Sequence, residues 1–376
     1  MKAIMEIRGN DTLGALRTFL RTMLEKGVVD ALLVPQVVPS GDNVVQTLVR
    51  DPEHMETTDP ISPVIPVQSA TLVANLTGNM PIGENIPRLR LGAVLKSCEI
   101  RALIELTKLK QANLDDVVII GIDCLGTYEV RDYAALTGEG VSLTAEALAA
   151  ARQGLVVPHG GYQFRAACQM CEFPTPANAD IAIGLIGVQN GILLDVKDEL
   201  AEKLGLSPDA EPAGRAAAVE KLVADRIARR DAVISEFRQR VVDMPSLLAE
   251  FSRCIRCYNC MVACPICYCK QCLFQGPTFD HDSDVYYRRA GRQGIIRMPT
   301  DTLLFHLTRM NHMVTSCVGC GLCTSACPSQ LPVGTIFRAV GQKVQALFDY
   351  QPGRRLDEEL PLATFREDEL TDLGEG

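Results

Sequence analysis

Through residues 13–25 the apolar side chains fall at Leu13, Leu16, Phe19, Leu20, Met23 and Leu24, a three-and-four spacing that lines one face of a helix. The apolar run over residues 28–34 then predicts a strand. Residues 91–95 predict a second strand, and residues 99–110 (EIRALIELTKLK) return to helical spacing. Residues 117–122 (VVIIGI) are apolar and mostly β-branched, as expected of a strand covered on both faces. Residues 181–188 (IAIGLIGV) predict another strand, broken by glycines. Strands alternating with helices indicate an α/β sheet domain, assigned to residues 1–207.

The pattern changes after Pro208. Residues 209–243 are rich in Ala, Glu and Arg, with no Gly or Pro after Gly214, and predict one long helix with Pro212 at its entry and Pro245 past its end. It is assigned to residues 208–245 as a link between two domains, its mixed charges read as a solvated face. A further helix is predicted over residues 301–312. The end of the chain, residues 349–376, reads as an acidic tail that frays from Arg354 onward.

Composition adds one unusual fact. The 376 residues carry fifteen cysteines, an odd number, and no tryptophan. The net charge of −9 argues against nucleic acid as a partner. No apolar run approaches the ~20 residues of a membrane span, and the N-terminus shows no secretory h-region. A cytoplasmic location is therefore expected, where clustered thiols point to metal or redox chemistry rather than disulfides.

Eleven of the cysteines lie between Cys254 and Cys327. Cys254, Cys257, Cys260 and Cys264 are followed by Pro265, and Cys317, Cys320, Cys323 and Cys327 by Pro328: two copies of C-x2-C-x2-C-x3-C-P. This is the bacterial ferredoxin run, in which three closely spaced thiols hold three corners of a 4Fe-4S cubane and the fourth ligates the other cluster. Cys254, Cys257, Cys260 and Cys327 are accordingly assigned to one cluster, and Cys317, Cys320, Cys323 and Cys264 to the other. Zinc favours paired C-x2-C spacings rather than a triple run ending in Pro. The region, residues 246–348, is read as a ferredoxin-type α+β domain that moves single electrons. Cys267, Cys269 and Cys272 have no ferredoxin role; packing as small apolar groups is preferred over a further metal or redox site. Between the runs, Arg288, Arg289, Arg292 and Arg297 form a basic patch that could cover the clusters or dock a partner.

The four outlying cysteines are Cys98, Cys124, Cys168 and Cys171. Cys98 and Cys124 follow predicted strands, at the carboxyl edge of the sheet where open α/β folds place ligands. Cys168 and Cys171 form a C-x2-C pair, which suits iron–sulfur or zinc alike, and buried structural cysteines are the other possibility. The five histidines share no spacing; His306 and His312 are six apart on the predicted helix and face different ways. No P-loop, H-E-x-x-H or nucleophile elbow is present, so no catalytic side chain is assigned.

KSCEIRALIELTKLKQ, VVIIGIDCLGTYE and RAACQMCEFPTPANADIAIGLIGVQNG, in that order, resemble the beta subunits of deazaflavin-reducing hydrogenases and of cytoplasmic formate dehydrogenases. The run CIRCYNCMVACPICYCKQC resembles the formate dehydrogenase branch, and the likeness covers residues 91–328. It implies a flavin and iron–sulfur subunit with FAD in the N-terminal domain and a third 4Fe-4S cluster on Cys98, Cys124, Cys168 and Cys171. The residues placed at the flavin are Lys96, Arg101, Asp180, Gly184, Gly187 and Asn190, since glycine admits close backbone approach and cations neutralise a pyrophosphate or a reduced ring. The bland alternative is that the two glycines ease packing and Lys96 is a surface charge. No GxGxxG fingerprint is present.

The resemblance implies electron exchange between a soluble hydride carrier, deazaflavin or NAD(H), at FAD and a catalytic subunit of a formate dehydrogenase or hydrogenase. The competing expectation is a purely iron–sulfur electron-transfer or scaffold subunit of a heterodisulfide-reductase-type complex.

Overall fold

The structure, a computed structural model, describes residues 1–7, 9, 11–78, 89–361 and 363. Seven strands form one mixed sheet: β1 (Lys2–Met5), β2 (Ala31–Val37), β3 (Val44–Val49), β4 (Leu91–Lys96), β5 (Val117–Ile122), β6 (Ile181–Gly184) and β7 (Ile192–Val196), in the order β1-β7-β6-β5-β4-β2-β3. The centre is parallel, β2 with β4, β4 with β5 and β5 with β6, and the edges are antiparallel.

Every residue of β4 is buried, because helices cover both faces of the sheet. On one face Leu16, Leu20 and Met23 of the helix Thr12–Glu25 pack on Leu32, Val94, Ile120 and Ile183. These three helical side chains have no exposed surface, and each stabilises the fold by ~2 kcal/mol relative to exposure. On the other face the helices Ser69–Thr77 and Ser97–Lys108 pack Val73, Ile100 and Leu103 on Leu33, Ala93, Leu95 and Ile119. The predicted strands are found. β1, β3 and β7 were not predicted; they are short and antiparallel, and β3 (VVQTLV) mixes polar and apolar positions.

The long helix runs Arg215–Arg240, and its charges are not all solvated. Arg215 and Arg226 are buried, and Arg230 is four residues beyond Arg226, a spacing that puts all three on one face. Arg215 pairs with Asp123 at the sheet, and Arg230 with Glu172. Arg238 donates to the carbonyl of Ala339 in the C-terminal region. The helix is thus a brace held by inward-facing arginines.

The described residues of 246–348 form helices and turns around Phe251, Phe305, Met310, Ile336 and Phe337, with no strand. After the helix Val333–Leu347 the chain does not fray at Arg354. Residues 349–358 strap across the helix Ser97–Lys108: Tyr350 Oη and Gly353 N donate to the buried Glu105 at 2.6 and 2.9 Å, and Arg101 Nε donates to Pro352 O at 2.9 Å. The expected tail is corrected to this extent, because buried carboxylate and guanidinium groups of that helix need the strap as partner. The stretch 366–376 lies outside the described residues. No helix among the described residues is long and apolar enough to cross a membrane.

Candidate functional site

The two cysteine runs fold alike. In the first, Arg256 and Tyr258 take the left-handed conformation (φ 52° and 62°); at the same offsets in the second stand Gly319 and Gly321 (φ 73° and 72°). Left-handed backbone costs a side-chain-bearing residue ~1–2 kcal/mol, so the first run needs compensation. Arg256 Nη1 donates to Asp301 at 2.9 Å, Arg256 Nη2 donates to Tyr258 Oη, and that hydroxyl donates to Phe274 O at 3.0 Å. The curl turns Arg256 N toward Cys254 Sγ at 3.4 Å. Each loop then enters a four-residue helix, Asn259–Val262 or Leu322–Ser325, that carries the third cysteine.

Three thiol-lined cavities result. The first is lined by Cys254, Cys257, Cys260 and Cys327. The second is lined by Cys264, Cys317, Cys320 and Cys323. The third is lined by Cys98, Cys124, Cys168 and Cys171 at the carboxyl ends of β4 and β5, with Cys320 in its wall. The second cavity therefore lies between the other two: Cys264 ties it to the first run, and Cys320 reaches the third set.

Burial pushes the thiol of Cys124 up to about 11, Cys260 up to about 11 and Cys264 up to about 12, with neighbouring thiols adding to the effect. Burial also raises the thiols of Cys98 and Cys323 well above their ordinary value. Thiols so placed ionise when a cation takes up their charge, which is what coordination does. Cys168 goes the other way: burial opposes its ionisation, but Arg165 and the hydroxyl of Thr127 hold it below its ordinary value. Among the described residues no His, Cys, Asp or Glu group closes on a single metal ion. Four thiols spread around a cavity suit a cluster, which holds its ligands apart, and the donor set fits iron–sulfur.

Side chains beyond the cysteines complete these walls. His306 is fully buried, stacked on Phe251 at 3.9 Å between ring centres, with Nε2 3.3 Å from Cys254 Sγ. Burial, with Arg309 nearby, pushes its pKa down to about 3, so the ring is neutral. Arg309, one helical turn on, and Arg165, three residues before Cys168, are also buried against thiols. Sequence reading missed all three as site residues; only Arg165 stands near a cysteine in the chain. Of the three extra thiols, Cys267 and Cys272 are half-buried against the apolar core, with Cys272 Sγ 3.5 Å from Met261 Sδ, whereas Cys269 is exposed. The packing expectation therefore does not describe Cys269. Arg288, Arg289, Arg292 and Arg297 are exposed.

The six residues expected at a flavin are not gathered. Lys96 is buried, not a surface charge, and its ammonium favours ionisation of Cys124. Arg101 lies over the Phe173 ring at 3.8 Å and donates to Val318 O at 3.0 Å. Asp180 accepts from Ile119 N and pairs with Lys197. A Cβ on Gly184 would meet the Arg215 guanidinium at 2.9 Å, and one on Gly187 the Arg215 Cα at 3.0 Å. Asn190 is exposed in the turn before β7. Among the described residues these six are held by separate partners, and the two glycines make room for Arg215.

At Gly321 the second run packs tightly against the segment that carries the third set. Its φ is positive, and an added Cβ would collide with the Ala167 side chain, next to Cys168. Gly321→Ala is expected to cost about 2–3 kcal/mol in thermal unfolding. Gly138→Ala, with open space at its Cβ and a helical backbone, is the control and is expected to be neutral or slightly stabilising.

Residues 250–331 match the family model described as a 4Fe-4S dicluster domain. Iron–sulfur binding by the C-terminal region is thereby shown. A chain of the F420-reducing [NiFe] hydrogenase complex from Methanosarcina barkeri is 14% identical, with 61% of this chain and 87% of that chain covered at a TM-score of 0.42, a likeness too low to bear on function. The F420-dependent formate dehydrogenase subunit beta of Methanocaldococcus jannaschii is 26% identical, covering 93% of both chains. Subunit beta of F420-dependent formate dehydrogenase 1 from Methanococcus maripaludis is 26% identical over 93% of this chain and 92% of its own. The resemblance carried by the cysteine motifs thus extends over nearly the whole chain, and it is to the beta subunits of formate dehydrogenases.

Proposed function

We propose that this chain is the electron-transfer subunit of a formate dehydrogenase or hydrogenase complex, carrying three 4Fe-4S clusters in a row. The observation that carries the reading is the sequence of three thiol-lined cavities, with Cys264 and Cys320 joining the middle one to its neighbours. Cys254, Cys257, Cys260 and Cys327 would hold the first cluster, Cys317, Cys320, Cys323 and Cys264 the second, and Cys98, Cys124, Cys168 and Cys171 the third. Bound clusters supply one-electron transfer and no acid–base chemistry. The protein's own part is to keep the thiols in place, exclude water and fix the surrounding charge.

The two ends differ. The third set lies under the carboxyl edge of the sheet, and the first reaches the surface, where Cys257 is exposed. A partner's redox centre can approach at the first. The relatives' names bring formate and coenzyme F420 to this chain as the proposed substrate and carrier of the complex, with a catalytic subunit for formate as the partner. A flavin at the sheet end would join a two-electron carrier to one-electron clusters. The alternative reading is an iron–sulfur subunit of a heterodisulfide-reductase-type complex with no flavin or NAD(H) chemistry of its own.

Iron and flavin analysis of the anaerobically purified chain separates these readings. About twelve irons per chain, four for each of three cubanes, is the expected result. Iron near eight removes the third cluster. Flavin released by acid supports the hydride-carrier reading, and stopped-flow bleaching by reduced deazaflavin or NADH then identifies the carrier; no released flavin leaves the electron-transfer subunit alone.

A further inference from the structure

Two arginines are buried where the thiol sets meet. Arg309 is 3% exposed and Arg165 is 4% exposed. Arg309 Nη1 donates to Cys260 Sγ of the first set at 3.1 Å, and its Nη2 donates to Cys260 O at 3.0 Å. The same guanidinium lines the second cavity beside Cys264, Cys317, Cys320 and Cys323. Arg165 Nη2 lies 3.7 Å from Cys168 Sγ of the third set, and its Nε donates to Thr127 Oγ1 at 2.8 Å. It lines the third cavity, whose wall includes Cys320 of the second set.

Neither guanidinium bonds a carboxylate among the described residues, and each has a buried nitrogen without a hydrogen-bond partner, Nε of Arg309 and Nη1 of Arg165. Burying an arginine without a counter-ion is costly. Arginine stays protonated in proteins, and the groups around each guanidinium are thiols of two sets, with Cys267 also near Arg309 and Glu129 near Arg165. The nearest compensating anions are the thiolates of the two sets that each arginine touches.

We propose that Arg309 and Arg165 are junction cations, each raising the reduction potentials of the two clusters it lies between: Arg309 the first and second, Arg165 the second and third. This rests on the three-cluster reading above. An electron added to a thiolate-ligated cluster makes an anionic group more so, and a fixed buried cation stabilises that reduced state strongly where the dielectric is low. Because one cation faces two clusters, it stabilises the electron on either side of the junction. Both are positioning residues: they accept no electron and move no proton.

The test is an EPR-monitored redox titration of the full chain, reconstituted anaerobically, with each signal assigned by its loss in Cys257→Ser, Cys317→Ser or Cys124→Ser. Arg309→Gln is expected to shift the first and second potentials downward and leave the third in place. Arg165→Gln is expected to lower the second and third and leave the first. Arg309→Lys and Arg165→Lys, which keep a charge but set it off the guanidinium position, are expected to give smaller downward shifts in the same pairs. Unchanged potentials in variants that retain wild-type iron overturn the proposal, and so does a shift spread equally over all three. If the glutamine variants take up no iron, the lysine variants decide by the same criterion of pairs. Failure of the underlying reading is distinguishable, because wild-type chain would then lack three cubane signals before any arginine is changed.

Discussion

Cys264→Ser is expected to remove the second cluster and spare the first, although Cys264 belongs to the first cysteine run. The residue lies two beyond the short helix that carries Cys260, and its thiol lines the cavity of Cys317, Cys320 and Cys323. Cys327→Ser is the mirror case, since Cys327 lines the cavity of Cys254, Cys257 and Cys260. Each variant is expected to lose about four of about twelve irons per chain, with loss of one EPR signal of the three. The cross-tie makes the effect on stability larger than that of a single lost ligand. A cluster held by thiols from both runs fastens residues 254–264 to residues 317–327, and its loss opens that connection. Cys257→Ser is expected to lose the same signal as Cys327→Ser, because both thiols line the first cavity. The idea fails if Cys264→Ser abolishes the first signal and retains the second.

How much of this was legible in the sequence follows from which residues answer to local rules. β4 up to Leu95 and β5 throughout are apolar because both faces are covered, so their runs announce them. β1 and β7 owe their strand character to pairing with each other, from opposite ends of the sheet domain, and no local pattern reports that. The cysteine runs are legible because loop geometry around a cubane fixes their spacing. Arg309 and His306 are not, since a charged residue and an imidazole in a helix read as surface until the helix Thr302–Met313 is seen to face Cys254 and Cys260. Gly184 and Gly187 show the opposite failure. Their positions did signal a close approach, but the approaching group is Arg215 of the chain itself.

That arginine leads to the second large effect. Asp123 has no exposed side-chain surface; it accepts from Leu185 N and Ile186 N at 2.8 and 3.0 Å, and from Arg215 Nη1 and Nη2 at 2.7 and 3.1 Å. Asp123 directly precedes Cys124, and Arg215 opens the long helix, so this pair fastens the brace to the carboxyl edge of the sheet beside the third set. Asp123→Ala is expected to destabilise the chain by ~3–5 kcal/mol, because it leaves the buried guanidinium with only the more distant Glu211, at 3.7 Å, and two backbone N–H groups without an acceptor. Arg215→Met is expected to cost less, since Asp123 keeps both backbone donors. Combining Asp123→Leu with Arg215→Met removes both charges and is expected to recover part of the loss, as replacement of buried ion pairs by apolar groups does elsewhere. Urea unfolding followed by far-UV circular dichroism measures all three, the chain having no tryptophan to report by fluorescence. Equal losses for the two single variants would mean that the helix end, not the charge pair, carries the stability. A large loss for Asp123→Ala alone assigns it to the stranded arginine, and makes the brace a device for holding the third set against the sheet.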